Sequence, residues 1–168
     1  MNQAWSIDWR NRKPGSDLSD ISSPGLLAEL QIAVAQIIDE NKIFGGDRVA
    51  IVLQAPGDYL AEMRKRLATV AMGILVMAPE FRNEQHNLWV AQVSVQVIEV
   101  PAMARAKALN VTAQRAAEIV IGQLKDREPI PGVWSQFRPT GMPVLVQNNH
   151  SAVSWQVSGA CKTIIRGI

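Results

Sequence analysis

The sequence predicts an α+β fold: a mixed β-sheet with helices packed on one face, a βαβ insertion and an extended N-terminal arm. Three observations lead to it. Apolar residues recur at helical spacing in separate segments, two long segments alternate apolar and polar residues, and a short helical segment separates two continuous apolar runs. The 168 residues, 48% of them apolar, suit one packed domain. We assign residues 1–23 to the arm and residues 24–168 to the domain.

Composition and charge argue against several classes of function. Lys and Arg total 17 and Asp and Glu total 15, so the net charge of +2 is too small to indicate binding to nucleic acid or to a membrane. No apolar run approaches the roughly 18 residues of a spanning helix, and no secretory signal pattern opens the chain. Cys161 is the one cysteine, and with His86 and His150 it forms no cluster of zinc-ligand spacing. We therefore expect no metal and no cofactor.

The N-terminal arm carries two tryptophans in a polar segment that proline and glycine interrupt. They are Trp5 and Trp9. Burial of one tryptophan side chain is worth on the order of 2–3 kcal/mol, so we expect the arm to dock rather than to remain in solvent. Two docking sites are open at this point: the arm's own domain, or a neighbouring subunit.

The first half of the domain predicts a helix and then a βαβ unit. Ser23 and Pro24 suit the N-cap and the first position of a helix that ends before Gly45. Residues 49–53 and 70–77 are continuous apolar runs, as in strands covered on both faces. A strand, a short helix and a second strand predict a parallel pair. The apolar stripe of the first helix is Leu27, Leu30, Val34, Ile37 and Ile38, and that of the short helix is Leu60, Met63 and Leu67.

The second half predicts two long strands with a helix between them. Residues 89–97 alternate apolar and polar side chains, and residues 153–162 do the same within a predicted strand at 152–164. Thr112 opens a helix whose apolar side includes Ala116 and Val120. Four shorter features complete the prediction: a polar turn at 83–87, a connection at 102–111, and strands at 133–137 and 144–147.

The polar faces of the two long strands are unusual because they carry almost no charge. Uncharged amides and hydroxyls can meet a protein surface without burying an unpaired charge. One interpretation is therefore a polar subunit contact or the lumen of a ring. The other is an ordinary exposed sheet face, or one that the arm covers. The residues are Gln92, Ser94 and Gln96 on the first strand and Ser154, Gln156 and Ser158 on the second.

Motifs for catalysis are weak. The sequence has no nucleophile elbow and no phosphate-binding loop, and the basic run at 64–66 is typical of a solvated helix face. A small α/β enzyme would place its pocket at the strand ends, near residues 54–58 and 78–82. Only Asp58, Glu80 and Arg82 are charged there, so we do not expect an enzyme.

The order of elements resembles the tail terminator (tail-completion) proteins of long-tailed bacteriophages and related prophage particles. The resemblance spans roughly residues 24–166 and is one of layout. It is carried by an opening helix at 26–30, a Gln/Ser-patterned strand at 89–101 that ends in proline, a helix at 112–125 and a closing strand at 152–164.

The resemblance implies a structural protein of the virion tail or neck, without catalytic residues or cofactor. Such subunits form a ring, six-fold in this family, on the head-proximal end of the tail tube. The expected partners are copies of the chain, the tail tube protein and a head-tail connector or neck protein, with DNA only as passing cargo and no membrane. Assembly would occur in the host cytoplasm. Alternatives are another neck adaptor, a tail-tube or baseplate subunit, or a small cytoplasmic α/β enzyme or ligand-binding domain.

Overall fold

A computed structural model describes residues 9–15, 25–41, 44, 49–54, 59–106 and 111–164. Within them, helices pack on a mixed sheet, so the α+β class predicted from the sequence is confirmed. After a 3₁₀ turn at Trp9–Asn11, the elements are α1 (Leu26–Asp39), β1 (Val49–Leu53), α2 (Tyr59–Leu67), β2 (Met72–Val76), β3 (Glu80–Gln85), β4 (Leu88–Glu99), α3 (Pro101–Ala106), α4 (Ala113–Leu124), β5 (Arg138–Pro139), β6 (Val144–Asn148) and β7 (Val153–Ile164).

The centre of the sheet is the antiparallel pair of β4 and β7. The strands pair over their whole length, from Leu88 opposite Ile164 to Glu99 opposite Val153. The sheet order is β1-β2-β4-β7-β5, with β3 also beside β4 and β6 also beside β7. Only β1 and β2 run parallel among the described strands, and this confirms the predicted βαβ unit. The predicted strands at 89–97 and 152–164 are confirmed as β4 and β7.

The main core lies between one face of the sheet and the helices α1 and α4. Alternate strand residues such as Ile51, Ile74, Val95 and Val157 point into it. Thr112 caps α4 as predicted, because its hydroxyl accepts a hydrogen bond from the Arg115 amide at 3.2 Å. The helix α1 begins after Gly25, which has a positive φ of 101°, while Ser23, Pro24 and Gly45 lie outside the described residues.

The helix α2 lies on the opposite face of the sheet, whereas the sequence predicted helices on one face. Its Met63 packs with Val52 and Leu75, which point away from α1. Gly73 permits this approach, since a Cβ there would lie 2.6 Å from the Met63 sulfur. Leu60 was predicted on the buried stripe but is 48% exposed. The βαβ crossover therefore covers only the β1–β2 side of that face.

Three elements differ from the prediction. Residues 83–87 are not all turn: β3 reaches Gln85, and its mostly exposed side chains gave no apolar alternation. The connection at 102–111 contains the helix α3, which Pro101 opens. The predicted strand at 133–137 is turn and irregular backbone, while β5 covers only Arg138–Pro139. Buried aromatic side chains, rather than a strand, produced the apolar pattern there.

The described part of the N-terminal arm, residues 9–15, packs on α1 of its own chain. Trp9 is 4% exposed and belongs to the main core. The Gln36 amide donates to the Trp9 carbonyl at 2.7 Å, and Arg12 pairs with the buried Glu29 carboxylate at 2.8 Å. Of the two docking alternatives, these contacts correspond to the first, in which the arm packs on its own domain. Trp5 lies outside the described residues.

The structure predicts that Trp9→Ala lowers the free energy of unfolding by about 3–5 kcal/mol, as for other buried large-to-small changes. Thermal or urea unfolding measures this loss. The control is Arg10→Ala: Arg10 is half exposed and lies 4.3 Å above the same ring, so its loss should cost no more than about 1 kcal/mol. Unchanged stability of Trp9→Ala with impaired self-association would instead place the arm on a neighbouring subunit.

Gly159 of β7 makes room for an aromatic ring of the core. A Cβ at this position would lie 2.2 Å from the ring of Phe137, which is buried. Phe137 in turn donates its amide to the Arg127 carbonyl at 2.8 Å, so its backbone is fixed. No side chain therefore fits at Gly159 without displacing the ring.

We predict that Gly159→Ala destabilises the fold by about 1–3 kcal/mol, the usual cost of overpacking a core. Gly141→Ala is the matched control, because no atom lies within 4 Å of a Cβ built there. Its free energy of unfolding should change by less than about 0.5 kcal/mol. Equal melting temperatures of the two variants would show that Phe137 is not held where the structure places it.

Candidate interaction surface

The six polar residues singled out from the sequence lie together on the sheet face opposite α1 and α4. Their strand neighbours, such as Val95 and Val157, point into the main core, so these six point the other way. The register sets Ser94 directly opposite Ser158 and Gln96 directly opposite Gln156. We call this set the polar strip: Gln92, Ser94, Gln96, Ser154, Gln156 and Ser158.

Side chains of the polar strip bond to one another. The hydroxyls of Ser94 and Ser158 lie 3.3 Å apart, and the Gln96 amide donates to the Ser154 hydroxyl at 3.2 Å. The Gln156 amide donates to the Ser158 hydroxyl at 3.3 Å. Ser154 is fully buried under this network. Three hydrogen bonds therefore link five of the six side chains within the subunit, without charge.

Charged residues border the polar strip on two sides. Towards the start of β4, Lys162 pairs with Glu84 at 2.9 Å. Towards β1, the helix α2 covers the same face, and its basic residues 64–66 are exposed. Arg66 forms an i,i+4 pair with Glu62 at 3.3 Å. The uncharged character thus belongs to the β4–β7 part of the face and not to the whole face.

An apolar edge strand lies beside the polar strip, and sequence reasoning did not single it out. All five residues of β6 are exposed, and among the described strands β6 pairs only with β7. Met142 is 74% and Val144 61% exposed. Natural sheets rarely leave an uncharged edge strand open unless another chain meets it. The nearby prolines Pro139 and Pro143 were the available signal, because proline in a sheet marks an edge.

The ends of β1 and β2, where an enzyme of this class would place its pocket, are tied together by uncharged amides. Gln31, buried in α1, donates to the carbonyls of Gln54 and Val76 at 2.7 and 2.8 Å. The Gln54 side chain donates to the Tyr59 hydroxyl at 3.0 Å and accepts from the Ala78 amide at 2.9 Å. These groups hold the βαβ unit together. Asp58 lies outside the described residues.

The titratable residues considered from the sequence are dispersed. His86 and His150 both lie in exposed turns, as predicted, at different ends of the sheet. Burial raises the pKa of the Cys161 thiol to about 12, so it is protonated at neutral pH and is a poor nucleophile. Among the described residues, no three His, Cys, Asp or Glu side chains are placed to hold a metal ion. None of the helices described is both long and apolar enough to cross a membrane.

Comparison with known proteins gives no assignment: no protein-family model matches the chain, and no curated protein matches it. The geometry of the surface is therefore the basis for a functional proposal.

Proposed function

We propose that the chain is a structural virion protein, a ring-forming tail terminator that stops growth of the tail tube at its head-proximal end and joins it to the head connector. The observation that carries the proposal is the polar strip, a set of uncharged side chains at the centre of the sheet, five of them part-exposed and Ser154 buried. The four segments that resemble tail terminators correspond to α1, β4, α4 and β7. These elements also form the main core and the strand pair that displays the strip.

We assign the polar strip to the lumen of the ring. A channel that passes duplex DNA must not retain it, and each lysine or arginine that meets a phosphate strengthens binding. The strip offers serine and glutamine side chains that bond to one another. Side chains that already bond to one another gain less from contact with a neighbour, and for this reason we prefer the lumen to a subunit interface.

A ring also requires contacts between its subunits. Head-to-tail contacts between identical subunits need two different patches on each copy. The exposed edge strand β6 is suited to be one of them. The partners we propose are other copies of the chain, six in the ring, the tail tube protein on one side and a neck or connector protein on the other. DNA passes as cargo, and the mature location is the virion after assembly in the host cytoplasm.

The test is to incubate the purified chain with tail tubes from the same source and to image the products by electron microscopy. A tail terminator places one ring at one end of each tube and stops further addition of tube protein. Many stacked rings would indicate a tube subunit instead, and a ring that joins only the head side would indicate a neck adaptor. A chain that stays monomeric at high concentration and ignores the tubes would contradict the proposal.

Charges introduced into the polar strip test whether the strip lines the lumen or forms a subunit interface. For the double variant Ser94→Lys with Gln156→Lys we predict normal ring formation, because lumen residues do not meet another subunit. The variant ring should retain duplex DNA at low salt and release it as salt rises, since the new cations bind phosphates. Gel-shift and electron microscopy measure both effects.

The matched control for this variant is Ser94→Asn with Gln156→Asn, which keeps the strip polar and uncharged. This control should form rings that do not retain DNA. If the lysine variant stays folded but no longer assembles, while the asparagine control assembles, the polar strip is a subunit interface and not the lumen.

A further inference from the structure

The N-terminal segment at residues 9–15, which we call the strap, is bound by side chains of the helix α1. The Gln36 amide donates to the carbonyls of Trp9 and Arg12 at 2.7 and 2.5 Å. The Arg12 guanidinium pairs with the buried Glu29 carboxylate at 2.8 Å. These hydrogen bonds and this ion pair join the strap to one helix, so the α1 of any copy of the chain could make them.

The strap and the helix α1 carry opposite charges. The strap has three cationic residues and no acidic one; they are Arg10, Arg12 and Lys13. The helix has two acidic residues, Glu29 and Asp39, and no lysine or arginine. Arg10 and Asp39 form a second ion pair at 3.2 Å. This complementarity attracts a strap to α1 whether the helix belongs to the same chain or to another copy.

The connection between the strap and α1 is longer than docking within one chain requires. Nine residues, 16–24, lie between Gly15 and Gly25. The Gly15 amide donates to the Glu29 carboxylate at 3.4 Å, and the Glu29 amide donates to the Gly25 carbonyl at 2.9 Å. The two glycines therefore lie within roughly 15 Å of each other, whereas the residues between them can extend to about 30 Å. The excess length allows the strap to reach the α1 of an adjacent copy.

Exchange of the strap between copies would create a subunit contact from surfaces that already fit each other. Trp9 is 4% exposed and belongs to the main core, so burial of its ring contributes much of the docking free energy. On its own chain the strap stabilises one subunit, whereas on the next chain it holds two subunits together. The same bonds form in both cases, and exchange of an identical element is a low-cost route to assembly.

We infer that in the ring the strap of each subunit docks on the α1 of the next subunit, at the site where it otherwise docks on its own chain; the inference rests on the proposed function. The contact is heterologous, because strap and helix are different surfaces, and repeated around an axis it closes a ring. The helix α1 packs on the sheet face opposite the polar strip. The exchanged straps therefore lie outside the lumen, and the strip is not needed to hold the subunits together.

The experiment determines which chain supplies the strap on each α1. The variant Arg10→Lys keeps the charge opposite Asp39 and adds an amine, which a carbodiimide can join to the partly exposed Asp39 carboxylate through an amide bond. Isotopically light and heavy chains of this variant are mixed in equal amounts, and cross-linked both as monomers and as rings on tail tubes. Mass spectrometry then measures which cross-linked peptides combine the two isotopes. The internal control is the ion pair of Lys162 with Glu84, which are 2.9 Å apart in one chain.

In rings, about half of the cross-links between position 10 and Asp39 should join a light chain to a heavy chain, as random exchange between identical subunits requires. In monomers these cross-links should stay within one chain, and those of Lys162 with Glu84 should do so in both states. Arg10 is half exposed, so the variant should fold and assemble as the wild type does.

Three outcomes would overturn the inference. Rings whose cross-links at position 10 all lie within one chain exclude strap exchange and leave the proposed function in place. Isotope mixing that is equally frequent at Lys162 and Glu84 shows random contact between copies and also excludes it. A chain that forms no ring on tail tubes overturns the proposed function and the inference together.

Discussion

The full-length antiparallel pairing of β4 with β7 is the constraint on which the other features depend. Side chains alternate along a strand, so one register places the valines in the core and the polar strip on the other face at the same time. A slip by one residue would exchange the two faces. The core and the polar strip are thus both set by one run of backbone hydrogen bonds.

Local periodicity made much of the fold predictable. The strands β4 and β7, the helices α1 and α4 and the parallel pair of β1 with β2 each have a pattern within their own segment. The elements that were missed lack such a pattern: β3 exposes nearly all of its side chains, and α3 has only six residues. The position of Trp9 depended on contacts with a helix further along the chain. The sequence could therefore only indicate that the tryptophan docks, not where.

Part of the candidate surface could likewise be predicted from the sequence, and part of it could not. Alternation was sufficient to find the six residues of the polar strip, but their mutual hydrogen bonds depend on the register between distant strands. Residues 144–146 are apolar, as buried strands are, and only the nearby prolines indicated an edge. The recess at the end of β7 could not be predicted, because its wall joins Leu88, the turn around Trp134 and the last residues of β7. Residue spacing within a single segment cannot predict a recess whose wall comes from three separate segments.

The ion pair of Arg12 and Glu29 has an evolutionary consequence. Glu29 is 2% exposed, and Arg12, together with the Gly15 amide, reaches it from the N-terminal segment. Loss of Arg12 removes the cation that faces a buried carboxylate, whereas joint replacement of both residues by apolar ones can be nearly neutral. Homologues should therefore vary at these two positions in concert. Those that lack the segment altogether should carry an apolar residue where Glu29 stands.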